Sequence, residues 1–282
     1  MERLLPLLLV LACAHPLVNA VHVRPTAGRV AKRAASPSPQ VGGKYVTVPS
    51  RPPASSEQLT FQEYWYDPRI HLWGNIGFRG AIHAAVAPLA TWLIDVLSYS
   101  GLNVRQHVIT QMIDREDTVL DLCCGTGFSS SPMSTGVDTS NQMLGMARLL
   151  RPDCSFVQGN AETFGETASF DVVTVMFATH EAPAAGRQSI LRNAARVARK
   201  QVIVVDIDPD FEVTLKQKPN MGRSFLAGEP YIPEYLKQMD SDVASCANEH
   251  SLLVDRVQLI PHHVVVWKLQ RAGQLSVPYW GI

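Results

Sequence analysis

From Thr118 onward, short apolar runs alternate with stretches in which apolar residues recur at helical spacing. The apolar runs predict strands at 119–122, 136–137, 156–157, 172–177, 202–207, 252–260 and 264–269. Strands that alternate with helices are typical of a parallel sheet covered on both faces. The last two runs are joined by Pro261-His262-His263 and predict a closing antiparallel hairpin. The pattern therefore predicts an α/β fold.

Two further stretches flank these strands. Apolar residues from 79 to 98 follow helical spacing and predict an N-terminal helix pair that caps the sheet, kinked or divided at Pro88. Between the fifth and sixth strands, residues 208–250 form an irregular insert with one predicted helix near 233–239. We expect this insert to form a wall of a substrate pocket.

The first 56 residues have the composition of targeting segments. Residues 1–20 combine Arg3, a short apolar run and small residues near Ala20, which predicts a signal peptide, with a signal anchor as the alternative. Residues 21–56 contain six Lys or Arg and no Asp or Glu, which is typical of a transit-like, disordered leader. Together they predict import into a plastid, with the secretory pathway as the alternative.

Composition narrows the possible partners. The formal net charge is +0, so there is no overall basic excess of the kind that nucleic-acid binding requires. The five cysteines show no disulfide framework, which favours a reducing compartment. No His, Cys and carboxylate set has metal-ligand spacing. The expected partner is a small-molecule acceptor, with no nucleic acid, no metal and no stable membrane span in the mature chain.

The most informative motif is the turn after the first strand, Asp121-Leu122-Cys123-Cys124-Gly125-Thr126-Gly127. Its glycines allow backbone N–H groups to approach a ligand closely, and Asp121 is expected to orient the loop by accepting backbone N–H bonds. Asp138 ends the second strand and offers an acceptor pair for a ribose diol. The competing role is a helix N-cap at Asp138 or Thr139. The two segments together predict a nucleoside-binding crevice.

Taken in chain order, the strand, turn and acidic segments of residues 118–269 resemble those of class I S-adenosylmethionine-dependent methyltransferases. The resemblance is to the ubiquinone and menaquinone biosynthesis type, also called methyltransferase type 11. The resemblance implies a Rossmann-like, seven-stranded, mainly parallel sheet with helices on both faces and an N-terminal helical cap. It implies S-adenosylmethionine as cofactor, with Asn160 and Ala161 beside adenine. The cofactor-binding candidates are Asp121, Cys123, Gly125, Gly127, Asp138, Thr139, Asn160, Ala161 and Phe177.

The chain departs from the family motif at two places. Cys123 and Cys124 stand where glycine and a small residue are usual. Residues 129–132 (Ser-Ser-Ser-Pro) leave room for only a very short first helix. Both departures raise the possibility of a weakened cofactor site.

Thr179-His180-Glu181-Ala182-Pro183 follows the fourth strand, at the edge where parallel sheets bind ligands. His180 and Glu181 are the candidate catalytic residues. His180 would act as a general base or hold an acceptor hydroxyl, and Glu181 would orient it. The alternative is that Glu181 caps the next helix and His180 only lines the cofactor's methionine end. His262 and His263 are expected to be turn residues.

Aromatic residues crowd the segment 64–73, which would either line a lid over the ligand or anchor a loop. The predicted organisation is a signal peptide (1–20), a leader (21–56), a helical cap (57–104), a methyltransferase domain (105–271) and a tail (272–282). The predicted reaction is in-line methyl transfer to a small or lipophilic acceptor. The alternatives are a non-catalytic S-adenosylmethionine-binding scaffold and an NAD(P)-dependent oxidoreductase, although Ser130 replaces the third glycine of the latter's motif.

Overall fold

The structure is a computed structural model of the 282-residue chain and describes residues 64–65, 74–211 and 229–272. The predicted signal peptide, the leader, residues 57–63 and 66–73, residues 212–228 of the insert and nearly all of the tail lie outside the described residues. The assignments made for those segments, and the domain boundaries, stay predictions.

The described helices are α1 (Gly77–Ser98), α2 (Val104–Met112), α3 (Asn141–Leu150), α4 (Ala184–Val197) and α5 (Ile232–Glu249). The strands are β1 (Val119–Leu122), β2 (Thr135–Asp138), β3 (Ser155–Gln158), β4 (Phe170–Met176), β5 (Ala198–Ile207), β6 (Leu252–Ile260) and β7 (Val264–Arg271). Every predicted strand is therefore present, with ends that shift by a few residues.

The strands form one seven-stranded sheet in the order β3-β2-β1-β4-β5-β7-β6. Strands β1 to β5 are parallel, and β7 runs antiparallel to both β5 and β6. Leu122 is in register with Val137 of β2 and Val175 of β4, so these strands end at the same edge. The predicted fold class and the closing hairpin are confirmed.

Helices cover both faces of the sheet. Alternate side chains of each strand point to opposite faces, so each strand contributes to both cores. On one face, Leu120 and Val173 pack under α4 and α5. On the other face, Val119 and Val172 pack with Val108 of α2. The sheet therefore lies between helices, as the alternating pattern predicted.

The helix pair predicted for residues 79–98 is wrong, because α1 runs through Pro88 as one helix. The next helix, α2, begins at Val104, outside that stretch. The N-terminal end of α1 is attached to the site edge, where Ser140 Oγ donates to the carbonyl oxygen of Asn75. At its other end, Tyr99 stacks on Phe177 after β4. The ends of α1 therefore lie beside β2 and β4.

The outer face of α1 is apolar. Its exposed large side chains are Phe78, Ile82, Leu89, Trp92, Val96 and Leu97. Its 22 residues and a mean hydropathy of 1.5 meet the length and composition of a membrane span. The absence of a stable span in the mature chain therefore stays a prediction.

The helix predicted near 233–239 is much longer in the structure, since α5 continues to Glu249. Pro233 lies in its first turn, where a proline costs no hydrogen bond. Arg187 of α4 donates from Nε to Asp242 of α5 at 2.7 Å, and both side chains are buried. This ion pair holds α5 against α4, so most of the described insert is regular helix.

Candidate functional site

The turn after β1 is fixed by Asp121, which is fully buried. Its carboxylate accepts from Ser129 Oγ at 2.8 Å, Ser130 Oγ at 2.7 Å and Thr174 Oγ1 at 2.9 Å. We expected backbone N–H donors, but the donors are side-chain hydroxyls. Burial raises the pKa of Asp121, and these three bonds oppose the rise. Asp121 therefore orients the turn, as predicted, by a different set of contacts.

Residues 123–134 contain no helix, whereas a very short one was expected. The hydroxyls of Ser129 and Ser130 bond to Asp121, and Pro132 has no N–H to donate. Arg151 completes the segment, since its Nη1 donates to the carbonyl oxygen of Ser130 at 2.5 Å. The turn therefore replaces the first helix with a fixed, hydrogen-bonded loop.

Backbone conformation in this loop separates the roles of its two glycines. Gly125 has φ +51° and no heavy atom within 4 Å of where a Cβ would stand, so open space lies beside it. Gly127 has φ +83°, and a Cβ there would meet the ring of Phe156 at 3.0 Å. Cys123 also has a positive φ, +58°. Gly125 and Cys123 thus shape the open side of the turn, and Gly127 allows it to pack.

Asp138 lies directly beside this turn. Its Oδ2 accepts from the backbone N–H of Gly125 at 2.9 Å, and its Oδ1 accepts from that of Ser140 at 2.8 Å. Burial raises the pKa of Asp138 to about 6, although both bonds favour the ionised form. Ser140 is the N-cap of α3, because its Oγ accepts from Met143 N. The cap role considered for Asp138 or Thr139 is therefore wrong, and the carboxylate keeps further acceptor capacity.

The segment after β3 is shaped by Asn160, whose Oδ1 accepts from Glu162 N at 2.9 Å. Ala161 is buried, and its carbonyl oxygen accepts from Asn193 Nδ2 at 2.8 Å. On the neighbouring loop, the carbonyl oxygen of Thr139 accepts from Gln158 Nε2 at 3.0 Å. These bonds hold the predicted adenine segment in one conformation beside the carboxyl ends of β2 and β3.

His180 lies in a short 3-10 helix, Thr179–Glu181, directly after β4. Its Nδ1 is 2.6 Å from Oδ1 of Asp206, which is fully buried near the end of β5. Burial alone lowers the pKa of His180, but the Asp206 carboxylate raises it to about 9. The Asp206 carboxylate therefore favours the imidazolium form, in which Nε2 carries a proton that it can donate.

Glu181 does not have either of the roles expected for it. The carboxylate that orients His180 is Asp206, which comes from the adjacent parallel strand. The N-cap of α4 is Pro183, without a side-chain cap, and Ala184 N donates to Glu234 of α5 at 3.0 Å. A role for Glu181 itself in the reaction stays a prediction.

Phe177 follows β4 with φ +56°, a conformation that few residues other than glycine adopt. Its N–H donates to the carbonyl oxygen of Val205 at 2.7 Å, which holds it in place. The ring stacks on Tyr99 at 6.4 Å between centroids, and Cζ of Arg105 lies 4.2 Å from its centroid. Such local strain clusters at functional sites, and this ring lies at the same edge as Cys123.

Sequence reasoning did not select Asp206, Tyr99 or Arg105 as site residues. Asp206 had a usable signal, because a carboxylate near the end of one parallel strand lies beside residues that follow its neighbour. Tyr99 and Arg105 had none, since their contacts depend on how α1 and α2 approach the sheet. Tyr64 of the aromatic segment is 8% exposed and packs in the core, which fits the anchor interpretation for that residue.

The site is thus built on the carboxyl ends of parallel strands: a glycine turn after β1, an acid after β2, an amide after β3 and a histidine after β4. Within the described ranges, no three His, Cys, Asp or Glu side chains come together as metal ligands. The seven-stranded sheet, with β7 antiparallel to its neighbours, is the fold that the resemblance to class I methyltransferases implies.

Comparisons with known proteins agree. Residues 119–201 match the family model described as methyltransferase domain. An uncharacterized methyltransferase of Synechocystis sp. is 39% identical over 98 residues, which is 32% of this chain and 46% of that protein. The chain thus matches about half the length of this curated relative.

The comparison with solved structures finds one of similar fold at a TM-score of 0.50. A possible histamine N-methyltransferase of Thermotoga maritima has a TM-score of 0.50 and 16% identity, covering 67% of this chain and 98% of that one. The magnesium protoporphyrin IX methyltransferase of Synechocystis, solved with bound S-adenosylhomocysteine, has a TM-score of 0.45 and 13% identity, covering 75% and 98%.

Proposed function

We propose that the protein is an S-adenosylmethionine-dependent methyltransferase that acts on a small or lipophilic acceptor. The observation that carries this proposal is the pairing of Asp138 with the open turn at Gly125, inside a methyltransferase domain. Asp138 offers acceptors for the two hydroxyls of a ribose, and Gly125 leaves space for a ligand beside the backbone. Bound, S-adenosylmethionine supplies an electrophilic methyl group on a positively charged sulfur.

The residues at this edge of the sheet fit such a nucleoside. Asp138 would bind the ribose, and Asn160 and Ala161 would flank the adenine, held by the contacts to Glu162 and Asn193. The remaining cofactor candidates, Cys123, Gly125, Thr139 and Phe177, border the same edge. Asp121 and Gly127 would act indirectly, because Asp121 bonds to hydroxyls of the turn and Gly127 packs on Phe156.

His180 would serve the acceptor side. Because Nδ1 is engaged by Asp206, whose carboxylate favours the imidazolium form, Nε2 would donate a hydrogen bond to an acceptor oxygen. This favours holding the acceptor over removing its proton at neutral pH. The in-line geometry then depends on how the acceptor is positioned.

The alternative of a non-catalytic scaffold is supported by the departures from the family motif. Cys123 and Cys124 stand in the turn after β1, and residues 123–134 contain no helix. The oxidoreductase alternative loses support, because Ser130 at the third glycine position bonds to Asp121.

Calorimetry with S-adenosylhomocysteine tests the proposal. We expect micromolar binding by the wild type and a loss of about 10- to 100-fold in Asp138→Ala, since bonds to a charged group contribute about 1.5–3 kcal/mol. Asp255→Asn, at an exposed position on β6, is the matched control. Absence of wild-type binding would contradict the proposal, and binding of NAD(P)H instead would favour the oxidoreductase.

We also propose that residues 1–56 direct the protein to a plastid, with the secretory pathway as the alternative. The support is compositional: an apolar segment followed by an acid-free basic leader. Fusing residues 1–56 to a fluorescent protein in an alga whose plastid is of secondary origin tests this. Fluorescence in the plastid supports the proposal, and fluorescence in the secretory pathway contradicts it.

A further inference from the structure

Arg105 lies in the first turn of α2, at the edge of the sheet where the candidate site is built. Its guanidinium carbon is 4.2 Å from the centroid of the Phe177 ring. That ring follows β4 directly and is stacked on Tyr99. Arg105 is therefore held over the edge of the sheet where β4 ends, and its side chain is only partly exposed.

The guanidinium of Arg105 carries five N–H donors. Among the described residues, it has no hydrogen-bond acceptor within range and no carboxylate within 4.0 Å. The buried arginine of α4 differs, since Arg187 donates to both Asp242 and Gln238. A partly buried cation without a paired anion is costly unless a ligand supplies one.

Three carboxylates lie in the surroundings of Arg105, and two of them are already engaged. Asp121 accepts from hydroxyls of its turn, and Asp206 is paired with His180. Asp95 of α1 is 7% exposed, and its Oδ1 has no hydrogen-bond partner in the described part of the chain. Asp95 is therefore the internal competitor for Arg105.

We propose that Arg105 binds the carboxylate of a ligand held at this edge of the sheet. This proposal rests on the proposed function, under which the carboxylate has two sources: the amino-acid end of the S-adenosyl cofactor or an acidic acceptor. A guanidinium forms two parallel N–H bonds to a carboxylate, which fixes orientation as well as position. Arg105 would thus place one end of a ligand whose other end reaches the methyl-transfer centre.

The cofactor source is tested by comparing two nucleosides by calorimetry. S-adenosylhomocysteine has the amino-acid carboxylate, and 5′-methylthioadenosine lacks it. If the cofactor is the source, Arg105→Gln weakens S-adenosylhomocysteine binding about 10- to 100-fold and changes 5′-methylthioadenosine binding less than twofold. Arg105→Lys recovers part of the loss. Arg79→Gln, at an exposed position on α1, is the control that changes neither.

The acceptor source is tested with benzoate as the carboxylate probe and benzyl alcohol as its neutral counterpart. Saturation-transfer NMR follows both probes with and without S-adenosylhomocysteine. Binding of benzoate, but not benzyl alcohol, that disappears in Arg105→Gln supports an acidic acceptor. The proposal is overturned if Arg105→Gln changes none of the four ligands.

Asp95→Asn separates the proposal from a purely structural pair. If Arg105 serves only Asp95, both variants lower the free energy of unfolding and leave every ligand affinity unchanged, which overturns the proposal. A wild-type protein that binds neither nucleoside contradicts the proposed function instead. Benzoate binding that depends on Arg105 would then still support the anion site.

Discussion

Replacing Asp206 with asparagine should change the protonation of His180 more than it changes the shape of the site. Asp206 is fully buried, and its carboxylate accepts from His180 Nδ1 at 2.6 Å, Thr179 N at 2.9 Å and Ile207 N at 2.8 Å. Asparagine has nearly the same volume but no charge. In the variant, burial still lowers the pKa of His180, but the Asp206 charge no longer raises it. The pKa should therefore fall below the ordinary value of about 6.5.

The magnitude follows from the wild-type pKa. The pKa of His180 is about 6.5 in the unfolded chain and about 9 in the folded protein, and this difference contributes about 3 kcal/mol to the free energy of unfolding. Because the folded pKa is the higher one, this contribution is complete below pH 6.5 and is lost as the pH rises through 9. The wild type should therefore become less stable between pH 6.5 and 9, and Asp206→Asn should not show that loss.

Two assays measure this: an NMR titration of the His180 ring, and denaturant unfolding at pH 6, 8 and 10. Asp242→Asn is the matched control, because it removes another buried carboxylate, which pairs with Arg187 instead. We expect that variant to be destabilised without any change in the His180 titration. An unchanged His180 pKa in Asp206→Asn would refute the reasoning.

Three further predictions concern the cofactor turn and its support. Affinity for S-adenosylhomocysteine should fall as the pH drops below about 6, because the ribose needs the ionised form of Asp138; calorimetry from pH 5 to 8 measures this, and a flat profile contradicts it. Ser129→Ala with Ser130→Ala should destabilise the fold by about 1.5–3 kcal/mol per hydroxyl and weaken the same ligand, as denaturation and calorimetry would show; an unchanged protein argues against a fixed turn. Gly136→Ala should cost about 1–3 kcal/mol in thermal unfolding, since a Cβ would lie 2.7 Å from the Phe156 ring; wild-type stability would show that the ring moves freely.

The pattern of the sequence was sufficient to predict the sheet, because its central strands β1, β4 and β5 are mostly buried and are therefore apolar runs. Val172 to Met176, for example, is buried throughout. The long helix α5 was underestimated because polar residues such as Asp240 and Asp242 interrupt its apolar positions. Pro88 suggested a break that α1 does not have, since a proline inside a helix does not always divide it.

At the site, positions along the chain could be predicted better than partners. The sequence placed Gly125, Asp138 and His180 at the same edge of the sheet, because each follows a parallel strand. It could not show that a carboxylate from β5 orients His180, nor that serine hydroxyls donate hydrogen bonds to Asp121. Those contacts depend on the lateral order of strands and on loop conformation, neither of which local pattern encodes.

The roles proposed for Gly125 and Asp138 all require that a nucleoside binds where β1 and β2 end. A crystal structure with S-adenosylhomocysteine would show whether it does. We expect both ribose hydroxyls within hydrogen-bond distance of the Asp138 carboxylate, with the ligand beside Gly125. The opposite result is a ligand bound elsewhere, with the Asp138 carboxylate still bonded to the N–H of Gly125 and no space between the turns after β1 and β2. That result would contradict a nucleoside site at this place.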